Sequence, residues 1–196
     1  MTARGIETVE AASEYLKPNF NGLHDPGTLP GMEAATARLV KAIEDGETIL
    51  IHGDYDVDGT TGTTILVRLL RHLDAKVAWH IPNRFTDGYA FGDHSIRKAQ
   101  ETGATLVISV DNGTSSLETI TELKELGIDT IVTDHHEPPT GALPPAVAIV
   151  NPKLPDSEYP FRELCGGAVA FKLAWGLCQK ITGAERVRED LKVFLT

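Results

Sequence analysis

The sequence predicts an α/β domain with a mostly parallel sheet sandwiched between helices, and three observations carry that expectation. Short apolar runs alternate with amphipathic helical patterns along most of the chain. Thr105 to Val110 is almost continuously apolar, as a strand covered on both faces requires. Several of these runs end abruptly in acidic or imidazole side chains, where a parallel sheet gathers ligand-binding groups beyond its carboxyl edge. With 196 residues and 41% hydrophobic content, the chain can fill the core of one domain of about 150 residues with additions.

Taken in order, residues 1–46 read as an N-terminal helical extension and 47–196 as the main domain. Thr8 to Leu16 predicts a short helix stopped by Pro18, and Asn19 to Pro30 a loop. Met32, Ala35, Leu39, Val40 and Ile43 recur at spacings of three and four, an amphipathic helix over 31–44 that ends near Gly46. Thr48 to Ile51 is the first strand. The helix expected over Thr60 to His72 carries Ile65, Leu66, Leu69 and Leu70 on one stripe. Val77 to Ile81 is a second strand, Pro82 to Gly92 a polar and aromatic loop, and Asp93 to Glu101 a helix that Asp93 can cap. After the strand Thr105 to Val110, a helix runs through Leu117, Ile120, Leu123 and Leu126 and is closed by Gly127. Strands follow at Ile128 to Val132 and Ala146 to Val150, then a helix from Gly166 to about Gln179. Such alternation implies right-handed crossovers within one sheet.

Eighteen basic against 28 acidic side chains give a net charge of -10, which argues against broad, purely electrostatic binding to nucleic acid or anionic membrane. Bound cations can reverse that sign locally. Cys165 and Cys178 suit a reducing cytosol and read as buried small hydrophobes. No apolar run is long enough to span a membrane, so the expected location is cytoplasmic.

Three strand ends carry the chemistry. His52-Gly-Asp-Tyr-Asp-Val-Asp-Gly59 places Asp54, Asp56 and Asp58 two apart, Asp111 follows the second buried run, and Asp134-His135-His136 follows the third. Singly, each has a plain reading as a hydrated turn or helix cap. Together, like charges gathered at one sheet edge call for cations. Mixed carboxylates and imidazoles suit manganese, zinc or iron better than an all-oxygen magnesium or calcium site. A carboxylate bridging two ions about 3.5–4 Å apart is the clamp used in phosphoester hydrolysis. Glycines opening a helix, as at Gly166 and Gly167, can hold a phosphate through backbone N–H groups. His80 and His94 read as ordinary structural histidines, and Trp79 and Trp175 as packing residues.

In their order, His52 to Gly59, Val110-Asp-Asn-Gly113 and Asp134-His-His136 resemble the DHH phosphoesterase superfamily, whose domain is Rossmann-like. Pro82-Asn-Arg-Phe-Thr-Asp-Gly-Tyr89, Asn151-Pro-Lys153 and Gly166-Gly-Ala-Val-Ala-Phe171 are similar to the RecJ single-strand-specific exonucleases within it. The resemblance covers about residues 47–180. It implies two divalent cations, manganese first and magnesium second, with 5′ to 3′ hydrolysis of single-stranded DNA to 5′-mononucleotides in repair and recombination. His52, Asp56 and Asp111 would hold one cation, and Asp58, Asp111 and His135 the other. His136 would meet the scissile phosphate, with Asp134 orienting a histidine beside it. Arg84 would grip a substrate phosphate, Tyr89 would stack on a base, and Gly166 and Gly167 would hold a further phosphate.

The family pattern also includes a later aspartate and a second domain, so the resemblance implies a 47–196 domain incomplete at its C-terminus. The apolar end Leu191 to Leu195 would then meet a missing C-terminal half or a second copy of the chain. Two other readings stay open at this point: a phosphodiesterase for short oligonucleotides or cyclic dinucleotides, and an inactive DHH scaffold binding a replication or repair partner.

Overall fold

A computed structural model describes residues 5–17, 22–83, 85, 87 and 91–184; Arg84, Tyr89 and the apolar end Leu191 to Leu195 lie outside the described residues. Five parallel strands form one sheet: β1 (Thr48–His52), β2 (Lys76–His80), β3 (Leu106–Val110), β4 (Asp129–Thr133) and β5 (Ala148–Val150). Their order, β2-β1-β3-β4-β5, is doubly wound. The helices are α1 (Val9–Leu16), α2 (Met32–Glu44), α3 (Val57–His72), α4 (Asp93–Thr102), α5 (Leu117–Glu125) and α6 (Gly166–Thr182).

Alternation along the strands builds two cores. Ile49, Ile51, Leu106, Ile108, Val110 and Ile131 meet the buried faces of α2, α3 and α6. Leu50, Val107 and Val132 turn to the opposite side, against Ile96 and Ala99 of α4 and Ile120 and Leu123 of α5. The chain therefore leaves β1 towards one face of the sheet and leaves the neighbouring β3 towards the other. At that switch point the two loops part and open a crevice at the carboxyl edge.

Although it falls within the expected N-terminal extension, α2 packs in the main core. Met32, Ala35, Leu39 and Ala42 are buried, and burial of Leu39 or Met32 contributes about 2 kcal/mol each. Arg38 joins it to the sheet, pairing with Glu47 at 2.7 Å and Asp129 at 2.6 Å. Gly31 starts the helix at φ 71°, and a Cβ there would stand 2.6 Å from the Ile149 carbonyl oxygen. Only glycine meets both conditions.

Most element boundaries fall within a few residues of expectation, and the differences have local causes. α3 begins at Val57 rather than Thr60 because Asp56 caps it, its Oδ1 accepting from Asp58 N–H and Gly59 N–H at 2.9 Å each. At α4, Gly92 rather than Asp93 occupies the cap position, and its N–H donates to Ser95 Oγ at 3.1 Å. Trp79 does not pack: it lies on edge strand β2 with 53% of its surface exposed. Trp175 is partly buried against the core. Cys178 is buried as expected, whereas Cys165, at the start of α6, is exposed. Among the described residues no helix is long and apolar enough to cross a membrane.

Candidate metal centre

Beyond β3 the chain turns sharply at Asp111, which sits in the left-handed region at φ 65°. Aspartate and asparagine tolerate that conformation better than most residues. The Asp111 N–H still donates to Thr133 O at 2.9 Å, and Ser109 Oγ donates to Asn112 O at 2.8 Å, so the turn is tied to the sheet. Its side chain is almost wholly buried, and among the described residues Oδ1 has no hydrogen-bond partner. His135 Nε2, delivered by the loop after β4, stands 3.1 Å from that oxygen without the alignment of a hydrogen bond, and 3.8 Å from Asp58 Oδ2.

The Asp58 carboxylate reaches Asp111 from the first turn of α3. It accepts the Gly166 N–H on Oδ2 at 2.7 Å and the Gly167 N–H on Oδ1 at 2.6 Å. Burial alone would raise the Asp58 pKa, but these two N–H groups, the Cys165 thiol and the nearby His135 outweigh it and hold the carboxyl below its ordinary value. Among the described residues Asp111 has no such donors. Burial, then the charges of Asp58 and Asp56, push its carboxyl up to about 7. Gly166 leaves Asp111 its room: a Cβ there would lie 2.1 Å from Asp111 Oδ1.

The third strand end is braced by Asp134. Its Oδ2 accepts the Thr114 N–H at 2.9 Å, and Oδ1 accepts the N–H groups of His135 and His136 at 2.7 and 3.2 Å. The same oxygen pairs with His136 Nδ1 at 2.7 Å. Burial opposes ionisation of Asp134, but His136 and Thr114 hold its carboxyl far below the usual range. Reciprocally, Asp134 raises the His136 pKa, on a ring 60% exposed. Asn151, directly after β5, donates to Thr114 Oγ1 at 3.0 Å and to His136 O at 2.9 Å. The sequence offered Asn151 only as part of a motif; its place at the same sheet edge was the available signal.

One ligand atom from each of Asp111, His135 and His136 lies within 4.8 Å of the other two. A buried, partnerless carboxylate oxygen repelled by its neighbours and faced by an imidazole suits a divalent cation, which removes the repulsion and completes the oxygen's contacts. Neither an acidic turn nor a helix cap requires such an arrangement.

Residues 48–194 match the DHH family, N-terminal domain. This chain belongs to that family. It is 43% identical over 177 residues to the single-stranded-DNA-specific exonuclease RecJ of Bacillus subtilis strain 168, covering 90% of this chain and 22% of that protein. Among solved structures, an exonuclease RecJ bound to manganese superposes with TM-score 0.71 at 38% identity, over 78% of this chain and 38% of the other. RecJ of Thermus thermophilus in complex with Mn2+ gives TM-score 0.69 at 36% identity, over 87% and 23%. The chain thus spans about a fifth of the length of the Bacillus protein.

As a DHH domain it brings Asp58, Asp111, His135, His136 and Asp134 to one edge, with Asp56 nearby as the α3 cap. The Gly166 and Gly167 N–H groups, expected to hold a phosphate, are taken by Asp58. Among the described residues, His52 groups with His80 and His94 rather than with Asp56 and Asp111. The reason is the pleat: Ile49 and Ile51 face α3, so His52, like Leu50, faces α4.

Proposed function

We propose that this chain is the metal-binding catalytic portion of a 5′ to 3′ single-stranded DNA exonuclease that releases 5′-mononucleotides in DNA repair and recombination in the cytoplasm. The observation that carries the reading is the buried, partnerless Asp111 oxygen between Asp58 and His135 at the switch point of the sheet. Membership of the DHH family and the likeness to RecJ proteins support it.

Asp58, Asp111 and His135 would hold one divalent cation, and Asp111 with Asp56 would contribute to a second, manganese in first place and magnesium in second. Such ions, when bound, supply Lewis-acid polarisation of the phosphodiester and an activated water. The protein's own groups prepare that chemistry. Asp111 would give up its proton to act as a ligand, which would tie binding to pH. The paired glycine N–H groups fix the Asp58 carboxylate in place. Asp134 aligns His136 and favours its charged form, which suits it to meet a phosphoryl oxygen or a leaving oxygen. Arg84 and Tyr89 are assigned to substrate, as a guanidinium fork on a phosphate and a ring stacked on a base.

The test is manganese-dependent release of mononucleotides from a 5′-labelled single strand, with Asp111→Ala run beside the parent. Turnover by the parent and none by the variant is the expected result. Equal turnover by both would remove Asp111 from the reaction and with it the proposal.

A further inference from the structure

Outside the carboxylate centre, the carboxyl ends of β1 and β2 and the first turn of α4 bring three imidazoles together. The rings of His52 and His80 lie 5.1 Å apart, those of His52 and His94 5.2 Å, and those of His80 and His94 5.7 Å. One ring nitrogen from each lies within 4.8 Å of the other two. His52 is 0% and His94 7% exposed, and Phe91 closes the group edge-on to His52 at 5.0 Å. Among the described residues, His52 Nδ1, His80 Nε2 and His94 Nε2 are all buried without a hydrogen-bond partner. Three unpartnered nitrogens within one cluster of rings are unusual in a folded core, where buried polar atoms find partners.

We propose that His52, His80 and His94 form a second cation site that holds one zinc-class transition metal ion. The hydrogen bonding prepares one ring for this. Ser95 Oγ accepts the Gly92 N–H at 3.1 Å and stands 2.9 Å from His52 Nε2. A serine oxygen has a second lone pair, so it can also accept the Nε2–H, leaving the Nδ1 lone pair available to a cation. Metal-binding histidines characteristically donate their other N–H in this way. Burial lowers the pKa of all three rings, that of His52 to about 3, so they are neutral and do not repel a cation. A tetrahedral zinc ion sets its nitrogens about 3.4 Å apart, within reach of small ring rotations. Asp87, whose charge acts on all three rings, supplies a nearby counter-charge.

Ligand chemistry separates this site from the carboxylate centre. An all-imidazole set favours zinc, cobalt or nickel over manganese and magnesium. The ion would join β1, β2 and α4, and would pin both ends of the segment 81–93 in which Arg84 and Tyr89 lie. His52 also leads directly into the turn of Asp54, Asp56 and Asp58. The role is structural and does not depend on the exonuclease reading.

Chelator-stripped Asp111→Asn protein, in which the carboxylate centre is disabled, is titrated with Co2+ and then Zn2+ while visible absorption and metal per chain are read. One cobalt ion per chain with the intense band of low coordination number, displaced by zinc, is expected. His80→Gln and His94→Gln in that background should each weaken binding by more than the roughly 10- to 100-fold that outer partners cost. Absence of the band, or binding retained in both histidine variants, overturns the proposal. Should those variants lose their fold by circular dichroism, zinc-edge absorption on the Asp111→Asn protein decides: three imidazoles sustain the site, and two or fewer overturn it.

Discussion

Replacing Asp111 by asparagine removes a charge that the metal-free fold holds at a cost. Asparagine keeps the side-chain shape and tolerates the left-handed backbone at φ 65°. In the folded chain the Asp111 carboxyl is raised from 3.8 to about 7 by burial and by Asp58 and Asp56. At about 1.4 kcal/mol per pH unit, that difference sets a ceiling of about 4 kcal/mol. The sign follows from the direction. With the folded pKa above the unfolded one, the group's favourable contribution is complete below about pH 4 and is lost as pH rises through about 7. Urea denaturation in chelator should therefore give parent and Asp111→Asn similar stabilities near pH 4. By pH 8 the variant should be the more stable by up to about 4 kcal/mol. Manganese should narrow that gap, because at about 100 times its Kd a ligand stabilises the parent by about 2.7 kcal/mol and has no site on the variant. A variant less stable than the parent at pH 8 without metal would refute the view of Asp111 as an uncompensated charge.

Four further substitutions probe the neighbouring structure. Gly166→Ala places a Cβ 2.1 Å from Asp111 Oδ1, and calorimetric titration should show manganese affinity down by about 10- to 100-fold with the circular dichroism spectrum unchanged. Gly31→Ala combines φ 71° with a 2.6 Å approach to Ile149 O, and should cost about 3 kcal/mol in urea denaturation. Gly103→Ala, at φ 63° with open space around it, should cost only about 1 kcal/mol, so equal losses would discount the Ile149 contact. Asp134→Asn should lower the His136 pKa, read from imidazole NMR shifts, because the carboxylate pairing now raises it. The His136 contribution to stability is present below its ordinary pKa of 6.5 and lost as pH rises through the raised one, so the variant should lose this pH dependence as well.

The parallel sheet and the convergence of Asp58, Asp111 and His135 were legible in the sequence, because strand ends follow from apolar periodicity and a parallel sheet collects them on one edge. The partners of individual atoms were not. His52 precedes the acidic turn and reads as part of it, yet strand alternation turns its ring to the opposite side of the sheet, towards His80 and His94. Those two histidines are 28 and 42 residues further on, and no local pattern links them to it. Likewise, glycines at a helix start announce free N–H groups, but only the packing of α6 on α3 reveals that Asp58 already occupies them. Cys165, at the cap of α6 beside Asp58, is exposed rather than buried. The packing of α2 in the core brings Gly31 against Ile149, residues distant in sequence that meet only in the fold.

The most direct test of the central claim is anomalous diffraction at the manganese edge from crystals grown with Mn2+ above pH 7. A peak bonded to the Asp111 carboxylate, with Asp58 and His135 completing its protein contacts, is the predicted result. Manganese bound elsewhere, with Asp111 Oδ1 still without a partner, would contradict it.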